Sequence, residues 1–502
     1  MNKITNGSMF LERIAISCSI VAIVAMTMTS MTIVQACTST AIPTPEGTII
    51  GRSMELGGTT KLLSAILQMN GLNNTQPSFT NPAYTLHEEA DRLIPWLLAV
   101  HPAGQQQGGC IICGLDSDTW NSTYGFVSVD VRIDPRAIFQ NMTSATEKES
   151  PLQNWMEQLG SNLVHGAVTL EALLMKQDIF EVSTDGMNEA GLTVSSLVLY
   201  ESEYQTPLSP SRRSTARNSN LRVSSVPVAA EDAIRKICWL DFSHWILGNF
   251  HSTSDLRETL QESANTLYTI GPLLSVFEDF NIHWRVDDAE GHSIVIEYLQ
   301  GTLTIHNNTV GVLTNDPPFD WHLHNLGTYS HLQPTRTVHS STQTGAFQLN
   351  SDIGIVPAHP GTGTNTLGLP GDYTSESRFV KMFYLTQFAL FHNPMQTIEA
   401  ALPTMSGLLN TVFIPIGTVP VKEHDNTDDE ASTSSLMLFG GEFTQYSVMK
   451  VPQQKLFYYK DYYNNQWRSF DLSTMDLSQP AYKLLADGSF NIMDETNTLF
   501  TN

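Results

Sequence analysis

Cys37 is followed by Arg52 fifteen residues and Glu55 eighteen residues downstream, in the stretch "VQACTSTAIPTPEGTIIGRSMELG" from Val34 to Gly57. A thiol, a cation and a carboxylate at such spacing can make a self-contained nucleophile. A cysteine that becomes the first residue of a chain carries its own base, an α-amino group with an unperturbed pKa of about 8. That amine can take the thiol proton directly or through water, so no histidine is needed. The site then requires a cation that favours the thiolate, a carboxylate that holds the amine, and amide donors for the tetrahedral oxyanion. Arg52 and Glu55 can supply the first two from a strand paired beside the N-terminal one. The competing reading of Arg52 and Glu55 is an ordinary surface ion pair.

The residues before Cys37 decide whether it can begin a chain. Lys3 and Arg13 flank a short polar start, Ile14 to Val34 is a 21-residue uncharged run, and Gln35-Ala36 places a small residue before the cysteine. A basic start, an apolar middle and a small residue at the cut are the grammar of a secretory signal. This predicts a leader over 1–36, a chain of 37–502, and a secreted or periplasmic location. Twenty-one uncharged residues could also span a bilayer as an uncleaved anchor, although six Ser and Thr lower the apolarity of the run. Val-Gln-Ala-Cys loosely resembles a lipobox, and acylation there would remove the free amine.

Taking Lys3, Arg13 and Glu12 from the 26 basic and 50 acidic residues leaves 24 and 49, a net of −25. A surface of that sign argues against nucleic acid and anionic membranes as partners. Beyond the leader no segment is long and apolar enough to span a membrane. Of the five cysteines, Cys18 leaves with the leader. Cys110 and Cys113 form a lone C-x-x-C without the second pair that a four-cysteine zinc site needs. A local disulfide between them is the expected state, with two buried thiols as the alternative, and Cys238 is expected to pack as a small hydrophobe.

The elements that must position these groups are mainly strands. "YGFVSVDVR" alternates, with Val127, Val129 and Val131 on one face. "GLTVSSLVLY" (191–200) reads as a strand, and "SIVIEYLQGTLTIH" (293–306) as a hairpin turning at Gln300-Gly301. A late hairpin is expected in "KLFYYKDYYNNQWRSFDL", turning at Asn464-Asn465. Helical patterns cover 229–250, 377–391 and 394–402. Hairpin-paired strands with helices outside predict an α+β layered domain. Loops are expected at 209–225 and 422–435.

The opening stretch resembles that of the choloylglycine hydrolase family, which includes bile salt hydrolases and penicillin V acylases and belongs to the N-terminal-nucleophile hydrolases. "DGMNEAGLTVSSL" (185–197), "GVLTNDPPFDWH" (311–322), "GLPGDYTSESRF" (368–379) and "TQYSVMKVPQQKLFYYKDYYNNQW" come after it in the family's order. The resemblance implies a four-layer αββα sandwich and hydrolysis of linear amide bonds through an acyl-enzyme. It implies Cys37 as nucleophile, Arg52 as its cationic neighbour and Glu55 as the carboxylate on the α-amine, where the family more often has Asp. Asn315 matches the asparagine of the oxyanion site, and Arg378 matches the arginine completing the polar network. Without the family, Asn315 reads as a turn residue before Pro317 and Arg378 as a helix-start residue. Val198 stands where bile salt hydrolases have an asparagine, so its backbone N–H or another group must serve.

Penicillin V-type amides, N-acyl homoserine lactones and conjugated bile salts are the substrates the resemblance suggests, and the leader and Val198 favour the first two. A homotetramer is implied in the same way. Alternatives are a dipeptidase-like N-terminal-cysteine hydrolase and a lipid-anchored binding protein without catalysis. "WHLH" places His322 and His324 on one strand face, but two ligands are too few for zinc; no metal or cofactor is expected. Long gaps near 57–123 and 133–184 read as insertions beside the site, and apolar pieces such as "LIPWLLAV" (93–100) suggest that they pack.

Overall fold

A computed structural model of the chain describes residues 37–56, 96–110, 113, 117–133, 180–205, 234–264, 266–271, 281–335, 346–348, 355–357, 364–420 and 441–486. The expected leader, the loops at 209–225 and 422–435, and most of both insertions lie outside the described residues.

Two antiparallel sheets make the centre. The strands, in chain order, are β1 (Cys37–Thr44), β2 (Gly47–Leu56), β3 (Leu97–His101), β4 (Phe126–Ile133), β5 (Phe180–Asn188), β6 (Thr193–Val198), β7 (Ile282–Asp287), β8 (Ser293–Leu299), β9 (Thr302–Asn307), β10 (Val312–Leu313), β11 (Val419–Pro420), β12 (Gly441–Val451), β13 (Leu456–Asp461), β14 (Arg468–Asp471) and β15 (Ala481–Leu484). The first sheet runs β10-β1-β2-β12-β13-β14, with β11 paired to β12, and the second runs β9-β8-β7-β6-β5-β4-β3-β15. Five helices matter here: α1 (Phe242–Asn249), α2 (Thr253–Glu262), α3 (Phe319–Leu326), α4 (Ser375–His392) and α5 (Ile398–Asn410).

Helices cover the outer faces. A side chain on Gly51 of β2 would meet Met405 and Leu409 of α5, and one on Gly186 of β5 would meet Leu247 of α1. Both glycines therefore let a helix approach its sheet closely. Between the sheets the strands bury both faces, so β6 reads as a continuous buried run rather than an alternating one. The result is the four-layer αββα sandwich.

Expected elements and observed ones agree where the local pattern is strong. β4 carries the Val127, Val129 and Val131 alternation. β8 and β9 form the hairpin, with Gln300 at φ 51° and Gly301 at φ 70° in its turn. β13 and β14 pair as the late hairpin, in which Asp461 accepts from the Tyr463 and Asn464 backbone N–H groups at 2.9 Å. β3 carries part of "LIPWLLAV" and pairs with β4 and β15, so this piece of the first insertion is sheet.

Four expectations are corrected. Residues 235–238, expected in a helix, form a strand parallel to Leu267–Ile270, and the helix starts only at Phe242. The third helix begins at Ile398, because Thr397 caps it by accepting from the Ala400 N–H; Pro394 lies before it. His322 and His324 sit on α3 rather than on a strand, as Pro318 sets the entry and accepts from the Trp321 and His322 N–H groups. The disulfide joins Cys113 to Cys238, 125 residues apart, while Cys110 keeps its thiol. Sequence neighbours are the cheapest guess for a bridge, yet the parallel strand Arg235–Cys238 carries its last residue to Cys113.

Candidate active site

Cys37 is the first residue of β1 and lies opposite Met54 of β2, while Ser39 lies opposite Arg52. Side chains directly across an antiparallel pair share a face. Cys37, Arg52 and Met54 therefore point between the two sheets, and Thr38, Ser53 and Glu55 point toward the helices. All six are buried.

In the inter-sheet space, Arg52 Nη2 lies 3.4 Å from Cys37 Sγ and donates to the Ser196 carbonyl at 2.6 Å. Its Nη1 donates to Asp185 Oδ2 at 2.5 Å and to the Tyr446 hydroxyl at 2.6 Å. Asp185 also accepts from Lys450 Nζ and, at 2.9 Å, from Ser195 Oγ. Burial pushes the Cys37 thiol above its ordinary pKa; Arg52 and Arg378 pull it down, and Glu55 adds to the rise. The arrangement holds a cation against the sulfur in a dry setting, where charge counts for more than in water.

At the edge of the sheet the polar atoms converge on the backbone of Cys37. Its N–H donates to Asn315 Oδ1 at 2.5 Å, and its carbonyl accepts from Arg378 Nη1 at 2.5 Å. Arg378 Nη2 also reaches Asn315 Oδ1 at 3.1 Å, and Nη1 reaches Thr38 Oγ1 at 2.6 Å. Arg378 stands in the first turn of α4, whose Thr374 cap accepts from the Ser377 N–H. Asn315 comes just after β10, the short strand beside β1, and its carbonyl accepts from His322 Nε2 of α3 at 3.0 Å. Asn315 Nδ2 donates to the Val198 carbonyl at 2.8 Å. The β5–β6 register runs to Ser195, so residues 196–198 extend past it, with the Ser196 and Val198 carbonyls taken by Arg52 and Asn315.

The structure thus gathers Cys37, Arg52, Asn315, Arg378 and Val198 in one place. Glu55 adjoins them from the helix side, so the surface ion-pair reading of Arg52 and Glu55 does not hold. Glu55 Oε1 accepts from Thr444 Oγ1 at 2.9 Å, and Oε2 has no hydrogen-bond partner among the described residues. Burial raises its pKa to about 8, against the pull of Arg378, Ser53 and Thr444. Sequence reasoning does not single out Asp185, Tyr446, Lys450 or the His322 contact with Asn315. Asp185 opens the "DGMNEAGLTVSSL" motif, and Tyr446 and Lys450 stand at even spacing along β12. That spacing is the signal that could have found them.

Among the described residues, two buried groups have ligand atoms close enough together to hold a metal: His101, Asp130 and His244, and Cys110, Cys238 and Asp241. The second loses a ligand to the Cys113–Cys238 bridge. In the first, Asp130 Oδ2 lies 2.9 Å from His101 Nε2 and 3.4 Å from His244 Nε2, a geometry that hydrogen bonding to the carboxylate accounts for.

Residues 223–493 match the model of the linear amide C-N hydrolases, choloylglycine hydrolase family. The chain belongs to that family and is an enzyme of the class that acts on C–N amide bonds. It is 29% identical over 300 residues to the bile salt hydrolase/transferase of Clostridium perfringens, covering 60% of this chain and 75% of that protein. It is 30% identical over 142 residues to the penicillin V acylase of Pectobacterium atrosepticum, covering 28% of this chain and 32% of that one. Among solved structures, a variant of the conjugated bile acid hydrolase from Clostridium perfringens superposes with a TM-score of 0.56 at 20% identity, covering 91% and 99% of the two chains. Penicillin V acylase from Agrobacterium tumefaciens gives 0.51 at 17% identity, covering 91% and 94%. These two likenesses are of fold.

Proposed function

We propose that the chain is processed after Ala36 and that Cys37 then acts as an N-terminal nucleophile on linear amides in a secreted or periplasmic setting. The observation that carries this reading is the treatment of Cys37 itself. Its sulfur faces Arg52, its nitrogen is held by Asn315 and its carbonyl by Arg378. A cysteine that were only structural would have no use for side chains fixing both its backbone groups. The partnerless Oε2 of Glu55 adds support, because a buried carboxylate oxygen wants a donor and a free α-ammonium has more hydrogens to give than a peptide N–H. The Cys113–Cys238 bridge suits an oxidising compartment. No described helix is long and apolar enough to cross a membrane.

In the reaction the α-amine takes the thiol proton and the thiolate attacks the amide carbon. The oxyanion is received by the second Nδ2 hydrogen of Asn315 and by the Val198 N–H, which shares its strand edge with the Val198 carbonyl. The ammonium returns the proton to the departing amine, leaving a thioester on Cys37. The amine then draws a proton from water, which attacks the thioester and releases the acid. Substrates are amides of the penicillin V, N-acyl homoserine lactone or conjugated bile salt type. Val198, an apolar side chain at the asparagine position, favours the first two. A panel of phenoxyacetyl, long-chain acyl and bile-acid amides, run with wild type and Cys37→Ala, tests the reading. Hydrolysis of at least one amide that vanishes in Cys37→Ala is the expected result; equal inertness of both proteins would contradict it.

A further inference from the structure

The charged groups around Asp185 and Asp287, between the sheets, do not balance. Arg52 of β2 and Lys450 of β12 share the single carboxylate of Asp185 on β5. Arg285 of β7 is bound to Asp287 of its own strand and reaches Ser39 Oγ of β1 at 3.3 Å. Around these two carboxylates three cations gather. Glu297 of β8, a third carboxylate on the same face, is bonded instead to His283 of β7, whose Nδ1 donates to it at 2.8 Å while Nε2 donates to the Thr314 carbonyl at 2.8 Å. Tyr446 cannot make up the difference, since burial pushes its hydroxyl far above neutrality. On the helix side, Cys37 is faced by Arg378 and by Glu55, whose pKa burial raises in the unprocessed chain and which, on the proposed reading, is paired in the mature chain with the α-amino group of Cys37 itself.

The count depends on Lys450 being charged, and its hydrogen bonds decide that. Its Nζ donates to Asp185 Oδ1, to the Val194 carbonyl at 2.9 Å and to Ser195 Oγ at 2.8 Å. The Ser195 hydroxyl hydrogen is already directed to Asp185, so Ser195 must accept from Lys450. Three donations require an ammonium, because a neutral amine has two hydrogens. Burial works against that charge, and Asp185 and then Asp287 work for it.

A buried surplus charge is costly unless a counter-charge completes the set. We propose that Lys450 is a positioning residue of the nucleophile: bridged by Asp185 to Arg52, it leaves the inter-sheet cluster one negative charge short, and the Cys37 thiolate supplies that charge. Asp185 aims Arg52 at the sulfur while Lys450 cancels the carboxylate that would otherwise oppose ionisation. This rests on the reading of Cys37 as the nucleophile.

The test is the pH titration of thiolate absorbance in ultraviolet light, taken as the difference between each protein and its Cys37→Ala counterpart, so that Cys110 cancels. Lys450→Met should move the Cys37 midpoint upward and Lys450→Arg should restore most of it. Turnover of Lys450→Met should fall about tenfold at neutral pH, the effect of about one unit of pKa, and recover in alkali with KM little changed. A purely structural lysine would not give a defect that alkali repairs. Should Lys450→Met not fold, the coupling can be read from the other side, because linkage is reciprocal. Lys450 Nζ, followed by NMR, should titrate at lower pH in Cys37→Ala than in wild type. An unmoved Cys37 midpoint in folded Lys450→Met, or identical Lys450 titrations in wild type and Cys37→Ala, overturns the proposal while leaving Cys37 as nucleophile intact. Full turnover by Cys37→Ala overturns both.

Discussion

Glu55 is the residue whose chemistry changes most with the state of its neighbour. In the uncleaved chain its acid is held near pKa 8 by burial, well above the ordinary value of 4.5. A carboxyl raised in the folded state gives stability that is complete below about pH 4.5 and lost as pH rises through about 8. Glu55→Gln in a cleavage-blocked chain should therefore unfold later than its parent above pH 8, measured by thermal melts. In the mature enzyme the same substitution removes the partner of the α-amine, and turnover should drop on the order of 100-fold, the scale of a displaced general base. Glu55→Asp should keep substantial activity. A wild-type rate in Glu55→Gln would show that Glu55 does not hold the amine. Asn315→Ala removes a donor and the acceptor of the Cys37 N–H together, and about 100- to 1000-fold lower turnover on every substrate is expected. Val198→Ala should change rates on some acyl groups and not others, since it alters contact while keeping the backbone N–H. Uniform severe loss in Val198→Ala would contradict that division. At this scale the sequence is informative about Cys37, Arg52, Asn315 and Arg378, because their spacing or motif context marks them. Asp185 and Lys450 are harder to read, since motif position and even spacing place them on a face but do not show that the two meet across two sheets.

The elements that bring these residues together are short and held by a few polar ties. β10 is two residues long, yet it pairs with β1 and delivers Asn315 to the Cys37 nitrogen. His322 of α3 fixes the turn after β10: its Nε2 donates to the Asn315 carbonyl at 3.0 Å, and its ring stacks on Phe379 of α4 with centroids 4.5 Å apart. Burial lowers its pKa to about 4, helped by His283 and Arg378. A depressed histidine gives stability that is present above about pH 6.5 and lost as pH falls toward about 4. His322→Gln should lower the melting point at pH 7 through lost stacking, but flatten its decline between pH 6.5 and 4, by at most about 1.4 kcal/mol per pH unit. An unchanged slope would place the acid sensitivity elsewhere. The hairpins β8–β9 and β13–β14 are readable because alternation and turn residues are local signals. "WHLH" is not, since four residues fit either period and Pro318 and the packing on α4 make it a helix.

Over the whole molecule, two links join distant parts of the chain. The Cys113–Cys238 bridge spans 125 residues, and its removal in Cys238→Ala should cost about 2–5 kcal/mol of stability. Peptide mapping without reductant should recover Cys113 joined to Cys238, whereas a Cys110–Cys113 peptide would contradict the structure. The αββα order of layers is implied by resemblance more than by pattern, because which strands share a sheet depends on pairings between residues as far apart as β2 and β12. The other link is chemical: the thiol and the proposed oxyanion donors already meet, and the proposed base, a free α-amine, joins them only if β1 begins the mature chain. Intact-mass analysis of purified, active enzyme tests that most directly. The account predicts a single chain starting at Cys37 with an unblocked amine. Full activity in a chain that keeps residues 1–36, or that carries a lipid on Cys37, would contradict it.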